Sequence, residues 1–377
     1  MRIAINTRFL LKNKLEGIGW FTYEVCKRLV EQHPEHEFIF FFDRPFEAEF
    51  VFGKNVTPIV LFPPARHPIL FYIWFEYAVV KALKKYEADV FLSPDNFCAL
   101  RTEIPTVLVV HDLAYAHFPE QMRMRDRVYY RNFMPKFLYK ASKIVTVSGF
   151  TKQDILKRHS INKRRIIVAC NGVRKIFQSL LSEEKEQVKA QFSVGKDYFF
   201  YIGAVHPRKN VHRLIEAFDR FKKETQSDLK LLIAGRFSWQ TGEVKNAYDS
   251  ANYQNDIEFL GYVEDALLPK LMASAFALTY ISTFEGFGVP LLEAMHCEIP
   301  IITSENSSMS EVVGEAAILI NPFDVNSISA AMRQMTRDAD LRKQLVEKGK
   351  KQRQNYSWQK ATDIIYDACI NALKAAP

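Results

Sequence analysis

The sequence predicts an α/β protein built from two tandem doubly wound domains. Three observations carry that expectation. Short apolar runs such as RIAIN, DVFLS and TVLVVHD alternate with helix-length segments, and the alternation restarts after a charged break at residues 179–197. Apolar strands separated by helices imply parallel sheets covered on both faces. At 377 residues, the chain is also long for a single core.

The elements follow in order. RIAIN leads into a loop holding Gly17 and Gly19 and then a helical run from Trp20 to Val30. EFIFFF, a loop, a helix over 71–86, DVFLS and TVLVVHD come next, then a polar aromatic helix around 123–140, KIVTVS, a helix from about 151, and RIIVACNGV. SLLSEEKEQVKAQFSVGKD reads as a connecting helix and loop. YFFYIG opens the second alternation, with a helix from Val211 to about Lys223, LKLLIAG, IEFLGYV, a helix near 265–274, AFALTY, a helix from Pro290, IPIIT, a short helix near SEVV, AAILI, and helices to the C-terminus. In the last of these, Ser357 is placed to cap, and Ala361, Ile364, Ile365 and Ala368 recur at helical spacing. The boundaries expected are 1–178, 179–355 and 356–377. Ligands of such sheets bind outside the carboxyl ends of the strands, so the site is expected in the cleft between the two domains.

A hydrophobic share of 48% and a charged share of 25% describe an ordinary globular chain that folds without metal or disulfide help. Its net charge of +8 and pI near 9.0 suit anionic partners: nucleotides, nucleic acid or an acidic membrane surface. Five scattered cysteines, odd in number and without metal-ligand spacing, read as reduced thiols of a cytoplasmic protein. MRIAIN begins as a strand, so no signal peptide is expected, and no apolar run is long enough to span a bilayer. The segment 71–86, interrupted by Glu76 and basic at its end, reads either as an amphipathic helix seated peripherally on the inner face of a membrane or as an ordinary packed helix.

The stretch STFEGFGVPLLEAM places Glu285 and Glu293 on either side of a turn holding Gly286, Gly288 and Pro290. Strand, glycine turn and helix follow one another here, and the free N–H groups of a helix start favour an anion. Carboxylates repel anions, so the pair must face other parts of the ligand. A molecule with hydroxyls at both ends and phosphates between fits, and nucleotide sugars have that layout. On its own, an isolated acidic pair reads first as a solvated surface loop. A second anion site is suggested by YIGAVHPRKNVHRLIEAF, where Arg208 and Lys209 precede a helix whose buried stripe is Val211, Leu214, Ile215, Phe218 and Phe221.

Together these segments resemble the GT-B glycosyltransferases, specifically the retaining family 4 with its Glu-x7-Glu motif, here Glu285 to Glu293. The resemblance runs through GIGWFTYEV, VVHDLAY, VTVSGFTKQDI, NGV, GAVHPRKN, LLIAGR, IEFLGYV and SEVVGEAA, nearly the full length in the right order. It implies two Rossmann-like domains, an N-terminal one for the acceptor and a C-terminal one for the nucleotide sugar, with the final helix crossing back to the first. It implies that Glu285 contacts hydroxyls of the donor sugar and that Glu293 accepts from the ribose. Main-chain N–H groups of Phe287, Gly288 and Val289, beside Gly286, would orient the sugar and phosphate, and Lys209 with Arg208 would neutralise the diphosphate. Tyr262 and Val263 would lie by the base, His111 close to the sugar, and Gly17 and Gly19 would let the first loop approach the phosphates or acceptor. Many relatives carry an arginine where this chain has Ala204, so the second positive charge must come from elsewhere, with Arg208 and Arg236 as candidates.

The resemblance further implies a retaining hexosyltransferase that uses no metal and no cofactor beyond its nucleotide-sugar substrate. Motif content looks most like mannosyltransferases of surface polysaccharide assembly, favouring GDP-mannose with a UDP-sugar as competitor and a glycan or lipid-linked acceptor. A nucleotide-sugar epimerase of the same shape would bind the donor without an acceptor. A nucleic-acid binder would explain the charge but predicts interleaved aromatic and basic residues that are not evident. Ser148 reads as a helix cap or a ligand contact. Trp20, Trp74, Trp239 and Trp358 read as packing residues, with Trp74 facing an acceptor as the alternative.

Overall fold

The computed structural model describes residues 1–237 and 242–374, so Trp239 lies outside the described residues. The chain forms two compact units, Met1–Asn171 together with the C-terminal segment from Ser357, and Gly172–Tyr356. The chain therefore changes unit at Asn171 rather than at residue 178. The segment expected as a connector is the helix Ser182–Ser193 of the second unit, where Val188 is buried.

The first unit is built on a seven-stranded parallel sheet ordered β3-β2-β1-β4-β5-β6-β7. Its strands are β1 (Arg2–Asn6), β2 (Glu37–Phe42), β3 (Val56–Val60), β4 (Val90–Ser93), β5 (Thr106–Val110), β6 (Lys143–Thr146) and β7 (Ile166–Val168). Central strands are apolar throughout because helices cover both faces: Ile3, Ala4 and Ile5 are inaccessible, as are Val107 to Val110. β3 lies in what reads from sequence as loop. Pro58 weakens its strand signal, and the strand is tolerated because it sits at the sheet edge.

Two further expectations are corrected. Gly17 and Gly19 are not in a loop, because the helix Gly17–Gln32 begins at Gly17. A first turn tolerates glycine, since its N–H groups lack intrahelical partners anyway, and at Gly19 a side chain would come 3.0 Å from the carbonyl oxygen of Phe9. The helix expected over 71–86 runs as Pro68–Ile73, a π-helical turn at Trp74–Val79, and Val80–Lys85. Glu76 points inward from it, accepting hydrogen bonds from the N–H groups of Leu100 (2.8 Å) and Arg101 (3.0 Å). Trp74 is fully buried and donates Nε1 to the Leu61 carbonyl at 3.2 Å, so it faces no acceptor.

The C-terminal helix Trp358–Lys374 belongs to this unit, against the helix Gly17–Gln32 and strands β4 to β7. Ser357 Oγ accepts from the N–H of Lys360 at 3.1 Å. Trp358 meets Phe21 edge-on at 5.9 Å, and Tyr366 stacks on His33 at 3.7 Å.

The second unit carries a six-stranded parallel sheet ordered β10-β9-β8-β11-β12-β13. These strands are β8 (Tyr198–Ile202), β9 (Lys230–Ala234), β10 (Ile257–Gly261), β11 (Ala277–Tyr280), β12 (Ile301–Ser304) and β13 (Ile318–Ile320). Successive strands build outward from β8 to one side and then, from β11, to the other. The order reverses between β8 and β11, and in such sheets the crevice at a reversal is where ligands bind.

Candidate active site

The reversal brings together the turns that follow β8 and β11. After β8 the chain makes a 3-10 turn at Pro207–Lys209 and passes through Asn210 in the left-handed region (φ 62) into the helix Val211–Thr225. Asn210 is buried and ties this turn to its neighbours, donating to the carbonyls of Ile281 (3.1 Å) and Pro322 (2.6 Å). Thr283 N–H donates to the carbonyl of Arg208 at 2.8 Å, which fixes the two turns against each other.

Three residues expected in the site are thereby joined. Lys209 Nζ lies 2.6 Å from Glu285 Oε1 and 2.9 Å from the hydroxyl of Tyr280. Arg208 Nη1 donates to the Phe284 carbonyl at 2.6 Å and reaches Glu285 Oε2 at 3.2 Å. Glu285 is 7% exposed. Burial pushes its carboxyl up, but the charges of Lys209 and Arg208 and the Lys209 hydrogen bond outweigh it and hold the group at about 2. Its backbone is fastened as well, the N–H donating to Ser307 Oγ (3.1 Å) and the carbonyl accepting from Ser308 Oγ (2.8 Å).

The turn Gly286–Gly288 then feeds the helix Val289–His296, with Pro290 at its second position rather than its first. Gly288 has φ +94, and a side chain there would meet Leu291 Cδ1 at 3.0 Å. Among the described residues no group accepts from the N–H of Phe287, Gly288 or Val289. Unpaired N–H groups at a helix start are the arrangement that favours an anion.

Glu293 lies on that helix, buried to the same 7%. No side chain or backbone group among the described residues hydrogen-bonds its carboxyl. Burial raises it to about 7, against the favourable charge of Arg174 and with the unfavourable charge of Asp265. Those two neighbours form an ion pair of their own at 3.1 Å.

Arg236 and Tyr262 meet at the ends of β9 and β10, with the guanidinium 4.2 Å from the ring centre. Tyr262 is 52% exposed and Val263 half-buried. Of the two candidates for the charge that Ala204 does not supply, Arg208 therefore stands with Lys209 on Glu285, and Arg236 stands with Tyr262. The ends of β8, β9 and β10 are cinched by glycines. Gly235 N–H donates to the Gly261 carbonyl at 2.7 Å, and a side chain on Gly235 would lie 1.8 Å from the Gly203 carbonyl oxygen.

In the first unit His111 follows β5. Its Nε2 lies 2.7 Å from the Pro94 carbonyl, which can only accept, so Nε2 carries the proton. Burial lowers the imidazole pKa despite that bond, leaving a neutral ring edge-on to Phe21 at 5.0 Å. Asp112 does not pair with it but accepts from Ala114 N–H at 2.9 Å. Ser148 is a helix cap, its Oγ accepting from Thr151 N–H at 3.1 Å. Tyr280, Arg174, Asp265, Ser307 and Ser308 were not singled out from sequence. Tyr280 ends the AFALTY strand and Arg174 directly follows NGV, positions that could have flagged both. Among the described residues one group, His33, Glu35 and His36, brings three metal-type ligand atoms within 4.8 Å of one another, and it is no part of the Glu285 cluster.

Residues 182–352 match the family model of Glycosyl transferases group 1, and residues 15–175 match Glycosyltransferase Family 4. The O-antigen chain mannosyltransferase B of Escherichia coli is 30% identical over 381 residues, covering 97% of each chain. The chain belongs to glycosyltransferase family 4. The O-antigen chain mannosyltransferase RfbU of Salmonella typhimurium is 26% identical over 272 residues, covering 71% of this glycosyltransferase and 70% of RfbU. Two solved structures share the GT-B fold. WaaG, a glycosyltransferase involved in lipopolysaccharide biosynthesis, matches with a TM-score of 0.77 at 16% identity over 97% of this chain and 99% of its own. Anabaena HepE in complex with UDP and glucose matches with 0.78 at 16% identity, covering 98% and 100%. No helix among the described residues of the glycosyltransferase is long and apolar enough to cross a membrane.

Proposed function

We propose that this glycosyltransferase moves mannose from GDP-mannose to a glycan or lipid-linked saccharide in surface polysaccharide assembly, working peripherally at a membrane. The observation that carries the chemistry is the Lys209–Glu285–Arg208 cluster beside the unpaired N–H groups of Phe287 to Val289. The choice of mannose rests on the two O-antigen mannosyltransferases named above.

In this reading the diphosphate enters between Lys209, Arg208 and the helix start. Charge building on the leaving phosphate meets donors already fixed in place, usually the largest catalytic term. These charges supply the stabilisation directly, so the transfer needs no metal. Glu285, held as a carboxylate, accepts from hydroxyls of the mannose and orients it, while Glu293 accepts from the ribose. Tyr262, Val263 and Arg236 flank the base. His111, a neutral imidazole, is assigned to the sugar. With no carboxylate nucleophile assigned, the acceptor attacks the face the phosphate leaves, and the phosphate oxygen takes its proton, so the anomeric configuration is retained.

The test is calorimetric titration with GDP, UDP and ADP in EDTA, followed by transfer from GDP-mannose. Selective GDP binding without metal is expected. Preference for UDP would overturn mannose from GDP-mannose while leaving the fold family intact. Lys209→Ala should lower kcat by about a hundredfold or more, the scale for removing one such donor, a far larger effect than its loosening of the fold in a melting curve. Near-normal turnover would remove Lys209 from the phosphate clamp.

A further inference from the structure

We propose that the turn 33–36 holds a divalent transition-metal ion, with zinc as the chemical match, on His33, Glu35 and His36. The site lies within the first unit and depends neither on the identity of the donor nor on the transfer chemistry, which is read above as metal-free.

The sequence dictates the turn. His-Pro-Glu-His follows the helix Gly17–Gln32, and Pro34 fixes the backbone at the second position of a tight turn. The N–H of His36 donates to the His33 carbonyl at 3.1 Å and closes it. The first and fourth residues of such a turn are neighbours, and the two imidazoles stand nearly parallel with ring centres 5.7 Å apart. Asn55 Nδ2 reaches the carbonyls of Val30 (3.3 Å), His33 (3.4 Å) and His36 (3.2 Å), tying the turn to the helix end. A backbone held in this way is what a preformed ion site requires.

The side chains converge on Glu35. Its Oε1 lies 3.2 Å from His33 Nδ1 and 3.5 Å from His36 Nε2, and one ligand atom from each of the three residues falls within 4.8 Å of the others. With zinc bonds of about 2.0–2.1 Å, neighbouring ligands of a tetrahedron stand about 3.4 Å apart. Both contacts to Glu35 already have that length, whereas a hydrogen bond to one ring would leave the other too distant to bond well. Two imidazoles and a carboxylate suit zinc and leave its fourth position to water, while calcium and magnesium prefer oxygen throughout. Tyr366 orients both rings, stacked on His33 at 3.7 Å with its hydroxyl 2.9 Å from His36 Nε2, so an ion here clasps the C-terminal helix to the turn.

The approach is acidic. Glu35 lines a cavity of about 340 Å³ with Glu37, Glu87 and Asp89, against Arg2 and the amine of Met1. Four carboxylates against two cations draw a cation toward Glu35 and give it an entry path.

Calorimetric titration of the untagged full chain with zinc chloride tests the proposal, with the visible absorption of cobalt(II) as a second readout. Expected is one site, and a melting temperature raised by about 5 °C or more over that in EDTA when zinc is at a hundredfold excess over its Kd. Losing a group that only orients a ligand weakens a metal site by about 10–100-fold. Glu35→Gln and His36→Gln, which remove ligands, should therefore each weaken zinc by about a hundredfold or more and abolish the tetrahedral cobalt spectrum. Glu35 is exposed, so Glu35→Gln melts like wild type in EDTA and keeps the test independent of folding. Absence of zinc binding, or binding and a thermal shift that both variants retain, would overturn the proposal. So would a loss of stability in His36→Gln that is the same in EDTA and in zinc, since the histidines would then serve only to hold Tyr366.

Discussion

Glu285 and Glu293 are equally buried, yet their carboxyls sit at about 2 and about 7. Burial raises both, and only Glu285 has cations bonded to it. The consequences for stability have opposite signs. The lowered Glu285 contributes stability that is present above the ordinary carboxyl range and is lost as pH falls through about 2. The raised Glu293 favours the fold below its ordinary value, and that contribution disappears as pH rises to about 7. Glu293→Gln should therefore stabilise the protein relative to wild type at pH 8, by about 2 kcal/mol, and much less at pH 5. Melting curves at the two pH values check this. An equal shift at both would mean that the buried carboxyl does not titrate between them.

At the scale of elements, the junction of β8, β9 and β10 is tightly constrained. Gly235 has φ +152, and an added side chain would meet the backbone of Gly203 at 1.8 Å, where nothing flexible can yield. Gly235→Ala should cost about 3 kcal/mol or more, seen as a large fall in melting temperature or loss of soluble protein. A melting temperature within a degree or two of wild type, about the scale of a surface change, would show that the junction can give. Periodicity made most of these elements legible in the sequence, because fully buried parallel strands are unbroken apolar runs. β3 escaped because Pro58 interrupts its run, and an edge position is visible only once the sheet is assembled. Gly17 and Gly19 were misplaced because glycine signals a loop, while the packing of Gly19 against Phe9 that uses it in a helix is tertiary. In the site, Glu285, Lys209 and Arg208 were legible from motif and charge. Tyr280 was not, since a tyrosine ending an apolar strand reads as core until its hydroxyl is seen 2.9 Å from Lys209.

At the scale of the molecule, the first unit is discontinuous in sequence. Its sheet is covered in part by the helix Trp358–Lys374, which buries Trp358, Ala361, Ile365, Ala368, Cys369 and Ala372. Each large apolar side chain here contributes about 2 kcal/mol of burial. Ending the chain at Tyr356 should unfold the first unit and leave the second intact. Hydrogen exchange reads this directly: amides of β4 to β7 lose protection while those of β8 and β11 keep theirs. Retained protection in both sheets would mean that the first unit does not need this helix.

The same arrangement sets an order on biosynthesis. A ribosome emits residues 172–356 in full before it emits the helix that completes the sheet begun at Arg2. The half of the protein made first is thus the last to be finished. While the second half folds, the nascent first half still carries the uncovered apolar face that Trp358 and Ile365 will close, the state in which a growing chain is most exposed to aggregation and to chaperones.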